Sequence, residues 1–295
     1  PQMGTVRALA ARRAGQVGTL LESVKFEHTV FALPFAYLGM VLAARGLPSA
    51  SQVLWITLAM VGARTLAMAC NRLIDRRIDA LNPRTAGRAL PTGRLTPWQL
   101  VALAGLSAFV LSFATWQLNE LCFKLAPLAV LIVIGYSYTK RFTWLTHFFL
   151  GLADGIAPVG GWLAVTGEWA WEPFILATAV GFWIAGFDLI YACQDVAFDR
   201  AHGIHSVPAR FGVATALRLS TFAHALTTLL LLALGVYLSL GPAYYVGWVI
   251  AVGLLIYEHR LVRPNDLSRL DVAFFNVNGY IAMVVFAFTL AGIYL

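Results

Sequence analysis

PWQLVALAGLSAFVLSFATWQLN, residues 97–119, contains no charged side chain. A helix that crosses a bilayer needs roughly 20 mostly apolar residues to span the hydrocarbon, and this stretch meets that requirement alone. Val272–Leu295 meets it again. Working outward from these runs, stretches of the same character recur, and the expected spans are 28–44, 53–71, 97–116, 122–138, 145–165, 173–193, 217–239, 243–258 and 273–294. Gly241-Pro242 divides the uncharged run from Leu219 to Tyr257. The composition agrees: 60% hydrophobic, 12% charged and a mean hydropathy of +0.75, against about 25% charged residues in a soluble domain. The expected fold class is therefore all-α and integral to the membrane, with nine transmembrane helices. Residues 1–27 form a cytoplasmic or interfacial N-terminal segment, and 28–295 form one domain.

Charge orients the spans. Of 21 Lys and Arg, eighteen fall on one side of a nine-span arrangement, while Arg45 and Lys124 fall on the other and Arg64 lies within the second span. The positive-inside rule then puts the N-terminus and the loops after even-numbered spans in the cytoplasm and the C-terminus outside, in a cell inner (plasma) membrane. The net charge of +7 is accounted for by topology, anionic lipid and an anionic substrate, so no nucleic-acid partner is expected. Cys70, Cys122 and Cys193 are odd in number, widely spaced and within apolar segments, which indicates neither a disulfide framework nor a zinc site. Residues 1–25 lack the apolar run and small-residue cleavage site of a signal peptide.

The chemistry lies at the ends of two spans. NRLIDRRID carries Asn71, Asp75 and Asp79, and DLIYACQDVAFD carries Asp188, Asp195 and Asp199. Steps of four and seven keep such residues on one slowly drifting helix face. Carboxylates near a membrane helix end are costly unless they face a polar cavity and a compensating charge. Hard oxygen donors from two helices suit Mg²⁺. A basic loop with helix breakers follows each cluster, DALNPRTAGRALPTG after the first and DRAHGIHSVPARFG after the second. This faint internal repeat suits a diphosphate, whose remaining charge Arg and Lys neutralise. The alternative for Asp75 and Asp79 is a solvated helix end paired with Arg72, Arg76 and Arg77.

NRLIDRRIDALNPRTAGRALPTG followed by GFDLIYACQDVAFDRAHGIHSVPARFG resembles the UbiA superfamily of intramembrane prenyltransferases, over essentially the whole chain, and within it the 4-hydroxybenzoate polyprenyltransferase-like members. The resemblance implies nine helices around a central cavity that opens laterally to lipid. It implies Mg²⁺ and the diphosphate of a polyprenyl donor at Asn71, Asp75, Asp79, Asp195 and Asp199, and an aromatic acceptor near Asp188. Lys140 and Arg141, with Tyr138 in YSYTKR, are expected at the diphosphate, with Arg72, Arg84, Arg88 and Arg210 as further candidates in the loops. Lys25 holds the place of a basic residue that many relatives carry in span 1, although Thr29 stands where they have proline and Pro34 is displaced. Phe187, Tyr191, Tyr136 and Tyr138 are candidate π faces for an allylic cation.

Arg64, seven residues before Asn71, shares its helix face two turns deeper. It is expected to bind an acceptor carboxylate, with Asp188 as the group that orients a phenol or takes the ring proton. An ion pair with Asp188 or Asp154 is the other reading of Arg64. His147, His224 and His259 are expected to be interfacial or packing residues. The implied reaction moves a polyprenyl group from its diphosphate to a 4-hydroxybenzoate-like acceptor in quinone synthesis. 1,4-Dihydroxy-6-naphthoate is the alternative acceptor. A CDP-alcohol phosphotransferase lacks its D-x-x-D-G-x-x-A-R run here, and a secondary transporter is the alternative of a different class.

Overall fold

The computed structural model describes residues 15–295, with the side chains of 26–31 outside that description. Of the expected N-terminal segment, residues 1–14 lie outside the described residues. The described part begins with α1 (15–23) and continues through α2 (Phe26–Ala44), α3 (Ala50–Ile74), the short α4 (Arg76–Leu81), α5 (Pro97–Leu118), α6 (Glu120–Thr139), α7 (Thr146–Thr166) and α8 (Glu172–Ala192). A 3₁₀ turn (Cys193–Asp195), α9 (Val196–His202), α10 (Val207–Phe211), α11 (Val213–Tyr237), α12 (Pro242–Leu261), a π-helical turn (Val272–Val277) and α13 (Asn278–Tyr294) complete it. Each of the nine expected spans falls on a helix. Seven helical segments among the described residues are long and apolar enough to cross a membrane, and Ala32–Ala44 is a shorter apolar one. The polar end of α12, with Glu258, His259 and Arg260, separates it from those seven.

Local chemistry sets where the long helices start. Ser49 caps α3 and Thr96 caps α5, each by a capping box with the glutamine three residues on, Gln52 and Gln99. Pro97 stands in the first turn of α5, where its missing N–H costs nothing. Asn119 caps α6 through the Cys122 N–H.

The core gathers along α2, α7, α8, α11 and α13, where Leu38, Leu42, Leu176, Trp183, Ile184, Leu189 and Ile281 are almost wholly buried. Small residues let the backbones touch. A Cβ on Gly151 of α7 would run into the carbonyl of Gly181 on α8, so this crossing is held open to nothing larger than glycine. The π-helical turn is braced by a side chain. Asn278 does this: its Nδ2 donates to the Ala273 and Phe274 carbonyls (both 3.1 Å) and to Glu258 Oε1 (3.0 Å), while its Oδ1 accepts from Trp183 Nε1 (2.7 Å).

The acidic motifs do not ride on continuous helices, as a simple steps-of-four reading expects. Each helix is interrupted at the central aspartate. The backbone angles nearly repeat, φ −88° and ψ 1° at Asp75, φ −99° and ψ 4° at Asp195. The faint sequence repeat is thus a conformational repeat.

Candidate active site

A cavity of about 850 Å³ runs from the mouth between α1 and the loop after α4 to the centre of the bundle. Its mouth carries Lys25, Arg84 and Arg88, its middle Asn71, Tyr191 and Phe187, and its inner end Arg64, Asp154, Tyr136 and Asp188. Tyr280 and Met283, both largely exposed on α13, form one flank.

The two motifs meet at the mouth. Arg84, from the loop behind the first motif, grips Asp195 of the second through Nε (3.0 Å) and Nη2 (2.7 Å), and Asn82 Nδ2 adds a bond at 3.2 Å. Arg84 Nη1 also donates to the Tyr191 hydroxyl (3.2 Å). Arg88 Nη1 lies 2.8 Å from both oxygens of Asp79. Asp75, only 2% exposed, is held by Lys140 and by Arg141 Nη2 at 3.0 Å. Asn71 donates both its amide protons, to Asp75 Oδ2 (3.0 Å) and Ser137 Oγ (3.1 Å), which leaves its amide oxygen for a ligand. Asp199 accepts from Ser206 Oγ (2.8 Å). Burial works against the charge of Arg84, but the bond and charge of Asp195 outweigh it, and its pKa is raised.

These residues fit a hard cation by donor chemistry: carboxylate and amide oxygens, with no thiolate or imidazole among them. Their present geometry departs from a ready-made cage. Among the described residues no group of three acidic, histidine or cysteine side chains is placed to hold one ion, and basic side chains occupy Asp75, Asp79 and Asp195. None of Asp75, Asp79, Asp195 and Asp199 is part of the cavity wall: Asp75 is buried beneath Lys140 and Arg141, Asp79 beneath Arg88, Asp195 is covered by Arg84, and Asp199 is buried against Ser206.

Three expected diphosphate residues are placed differently. Tyr138 is half-exposed and outside the cavity wall, with the Arg141 guanidinium over its ring at 5.5 Å. Arg210 lies over the ring of Phe211, at 5.3 Å, and is not part of the cavity wall. Arg72 reaches the wall but is 6% exposed and acts as a strut, its Nε donating to the Ser23 carbonyl of α1 (3.0 Å). Lys25 is exposed at the mouth, in the left-handed region at φ 51°.

At the inner end Arg64 Nη1 pairs with Asp154 Oδ1 at 3.2 Å, while its buried Nε has no partner. Asp188 is bonded instead to His147, Nδ1 to Oδ2 at 2.7 Å. His147, read from sequence as a packing residue, is therefore part of the polar site. Phe187 and Tyr191 form an aromatic wall with Phe274 of the π-helical turn, Tyr191 stacking on Phe274 at 4.1 Å.

The UbiA prenyltransferase family model matches residues 32–280. The chain is 30% identical to a 4-hydroxybenzoate octaprenyltransferase of Vibrio campbellii over 249 residues, 83% of this chain and 86% of the relative. It is 32% identical over 247 residues to that of Tolumonas auensis, covering 83% and 85%. Among solved structures, a UbiA homologue from Aeropyrum pernix superposes with a TM-score of 0.83 at 32% identity, over 90% of this chain and 98% of the other. A UbiA homologue from Archaeoglobus fulgidus bound to GPP and Mg²⁺ shares the fold at a TM-score of 0.73 and 19% identity, over 94% and 100%. With an all-helical membrane fold and both acidic motifs at one cavity mouth, the chain belongs to the UbiA prenyltransferase family and is a membrane-embedded transferase.

Proposed function

We propose that the protein transfers a polyprenyl group from its diphosphate to an aromatic hydroxycarboxylate of the 4-hydroxybenzoate type, with Mg²⁺, in respiratory quinone synthesis. The observation that carries this reading is the grip of Arg84 and Asn82 on Asp195, which joins the loop of one motif to the carboxylate of the other at the mouth of a cavity ending in Arg64 and Asp188. Asn71, Asp75, Asp79, Asp195 and Asp199 would hold the metal, which when bound polarises the diphosphate as a leaving group. Arg84, Arg88, Lys140 and Arg141 then exchange carboxylate partners for phosphate oxygens, a trade between equally hard anions. The cavity flank at Tyr280 and Met283 suits a hydrocarbon tail that stays in lipid.

In the reaction the allylic C–O bond breaks with its electron pair leaving on the diphosphate. A ring carbon ortho to the phenol attacks the allylic carbon, and the ring proton is lost to a base. Asp188 is the base or phenol-orienting group within reach of the inner cavity. Arg64, with Nε free, binds the acceptor carboxylate. Phe187, Tyr191 and Tyr136 turn aromatic faces to the cation and keep water away. The motif end of the bundle faces the cytoplasm by the positive-inside rule, and 28–295 acts as one domain. Family membership decides against a transporter.

The test is incubation of purified protein in nanodiscs with Mg²⁺, geranylgeranyl diphosphate and either 4-hydroxybenzoate or 1,4-dihydroxy-6-naphthoate, with product read by mass spectrometry. Prenylated 4-hydroxybenzoate supports the reading. Product with the naphthoate alone moves the enzyme to the other quinone pathway, and product with neither contradicts both.

A further inference from the structure

The polar contacts of His147 leave no choice about its protons. Its Nε2 receives the backbone N–H of Val207 at 3.2 Å, and its Nδ1 lies 2.7 Å from Asp188 Oδ2. A ring nitrogen that accepts an N–H carries no proton, so the proton is on Nδ1 and is donated to the carboxylate. The ring is 2% exposed, so water does not compete for either nitrogen. The residue before Val207 is Ser206, whose hydroxyl donates to Asp199 Oδ2 at 2.8 Å. One neighbour further back, the His205 N–H donates to the carbonyl of Lys140 (2.8 Å), the residue that holds Asp75. A continuous set of bonds thus runs from both acidic motifs, through residues 205–207, to the imidazole and on to Asp188.

Packing keeps this geometry stiff. His147 and Asp188 sit on α7 and α8, one turn and two turns from the Gly151–Gly181 contact that brings those backbones together. Gly203, at φ 66°, ends α9 and turns the chain back so that Ile204 N–H reaches the Asp199 carbonyl (2.9 Å) and Ser206 reaches its side chain. An Asp188 without this partner would be free to rotate toward Arg64 or the cavity water.

We propose that His147 is the positioning residue for Asp188, locked as the Nδ1–H tautomer by the Val207 backbone, and that it ties the acceptor end of the cavity to the loop that closes the second acidic motif. This rests on the prenyl-transfer reading for its catalytic consequence, but not for its geometry. Asp188 touches the acceptor; His147 does not, and acts through it.

Two measurements on the full-length protein in nanodiscs test this together. In kinetics, His147→Leu removes both bonds and is expected to lower kcat/KM for the acceptor by about 10–100-fold, the range for loss of a group that orients a ligating or reacting side chain. The KM for the prenyl diphosphate stays within about twofold. His147→Gln, whose amide can both accept from Val207 and donate to Asp188, recovers most of the loss. In ¹⁵N-histidine solid-state NMR, the signal that vanishes in His147→Gln is expected to show a protonated Nδ1 and a bare Nε2 in the wild type. Val207→Pro removes the N–H at a first helical position that tolerates proline, behind the extended backbone of Ser206 (φ −145°, ψ 158°), and puts a ring of similar size where a fully buried valine side chain stood; it is expected to release that tautomer. An Nε2–H ring or an imidazolium in the wild type overturns the proposal. So does a His147→Leu enzyme with unchanged acceptor kinetics, or one that loses donor and acceptor efficiency alike and is not helped by Gln. If the wild type forms no product with any acceptor, the functional reading fails, and the NMR result still decides the positioning of Asp188.

Discussion

At the scale of single residues the site is a set of anions already partnered by cations. Asp75 has Lys140 and Arg141, Asp79 has Arg88, and Asp195 has Arg84. Loss of one partner leaves a buried or half-buried charge, which is why substitution here costs more than at an exposed pair. Arg64→Ala is expected to raise the KM for a carboxylated acceptor about tenfold or more while leaving the donor KM unchanged, because its fork is the cation at the inner end of the cavity. The check is steady-state kinetics with each substrate varied in turn. An effect on the donor alone would contradict that placement.

Most acidic residues at the site were legible in the sequence, because a carboxylate at the end of an apolar run has few structural reasons to be there. His147 was not. One histidine in an apolar segment reads as packing, and its meaning comes from Asp188, which lies on the next helix, and from a backbone N–H sixty residues on. Tyr138 and Arg210 show the converse: both stand near candidate site residues in sequence, yet neither is part of the cavity wall.

At the scale of elements, two devices hold the site. Gly151 on α7 faces the Gly181 carbonyl on α8. Gly151→Val is expected to push these helices apart at a cost of about 1–3 kcal/mol, seen as a lower midpoint of thermal unfolding in detergent with a matching loss of acceptor affinity. Asn278 donates to the carbonyls of Ala273 and Phe274 and so braces the turn that stacks Phe274 on Tyr191. Asn278→Leu removes these bonds and leaves Trp183 Nε1 and Glu258 Oε1 without their partner, at about 1–3 kcal/mol, and limited proteolysis near 263–277 is the measurement. The spans themselves were readable from apolar length alone. The interruptions at Asp75 and Asp195 were not, since neither a proline nor a glycine marks them, and the π-helical turn had no sequence signal either.

For the whole molecule, the internal repeat has a functional consequence. Each half delivers an acidic helix end and a basic loop, and the halves are joined by Arg84 and Asn82 reaching Asp195. Neither half is complete alone. Metal and donor together are therefore expected to stabilise the fold by mass action, about 2.7 kcal/mol at a hundredfold excess over Kd, visible as a higher unfolding temperature that EDTA abolishes. In the proposed enzyme both motifs hold one metal–diphosphate unit. The most direct test is equilibrium binding of radiolabelled geranylgeranyl diphosphate to purified protein in nanodiscs, with Mg²⁺ or EDTA, for the wild type, Asp75→Asn and Asp195→Asn. Tight binding is expected only for the wild type with Mg²⁺, and its loss in each variant separately. Undiminished binding in EDTA, or in either variant, would contradict it.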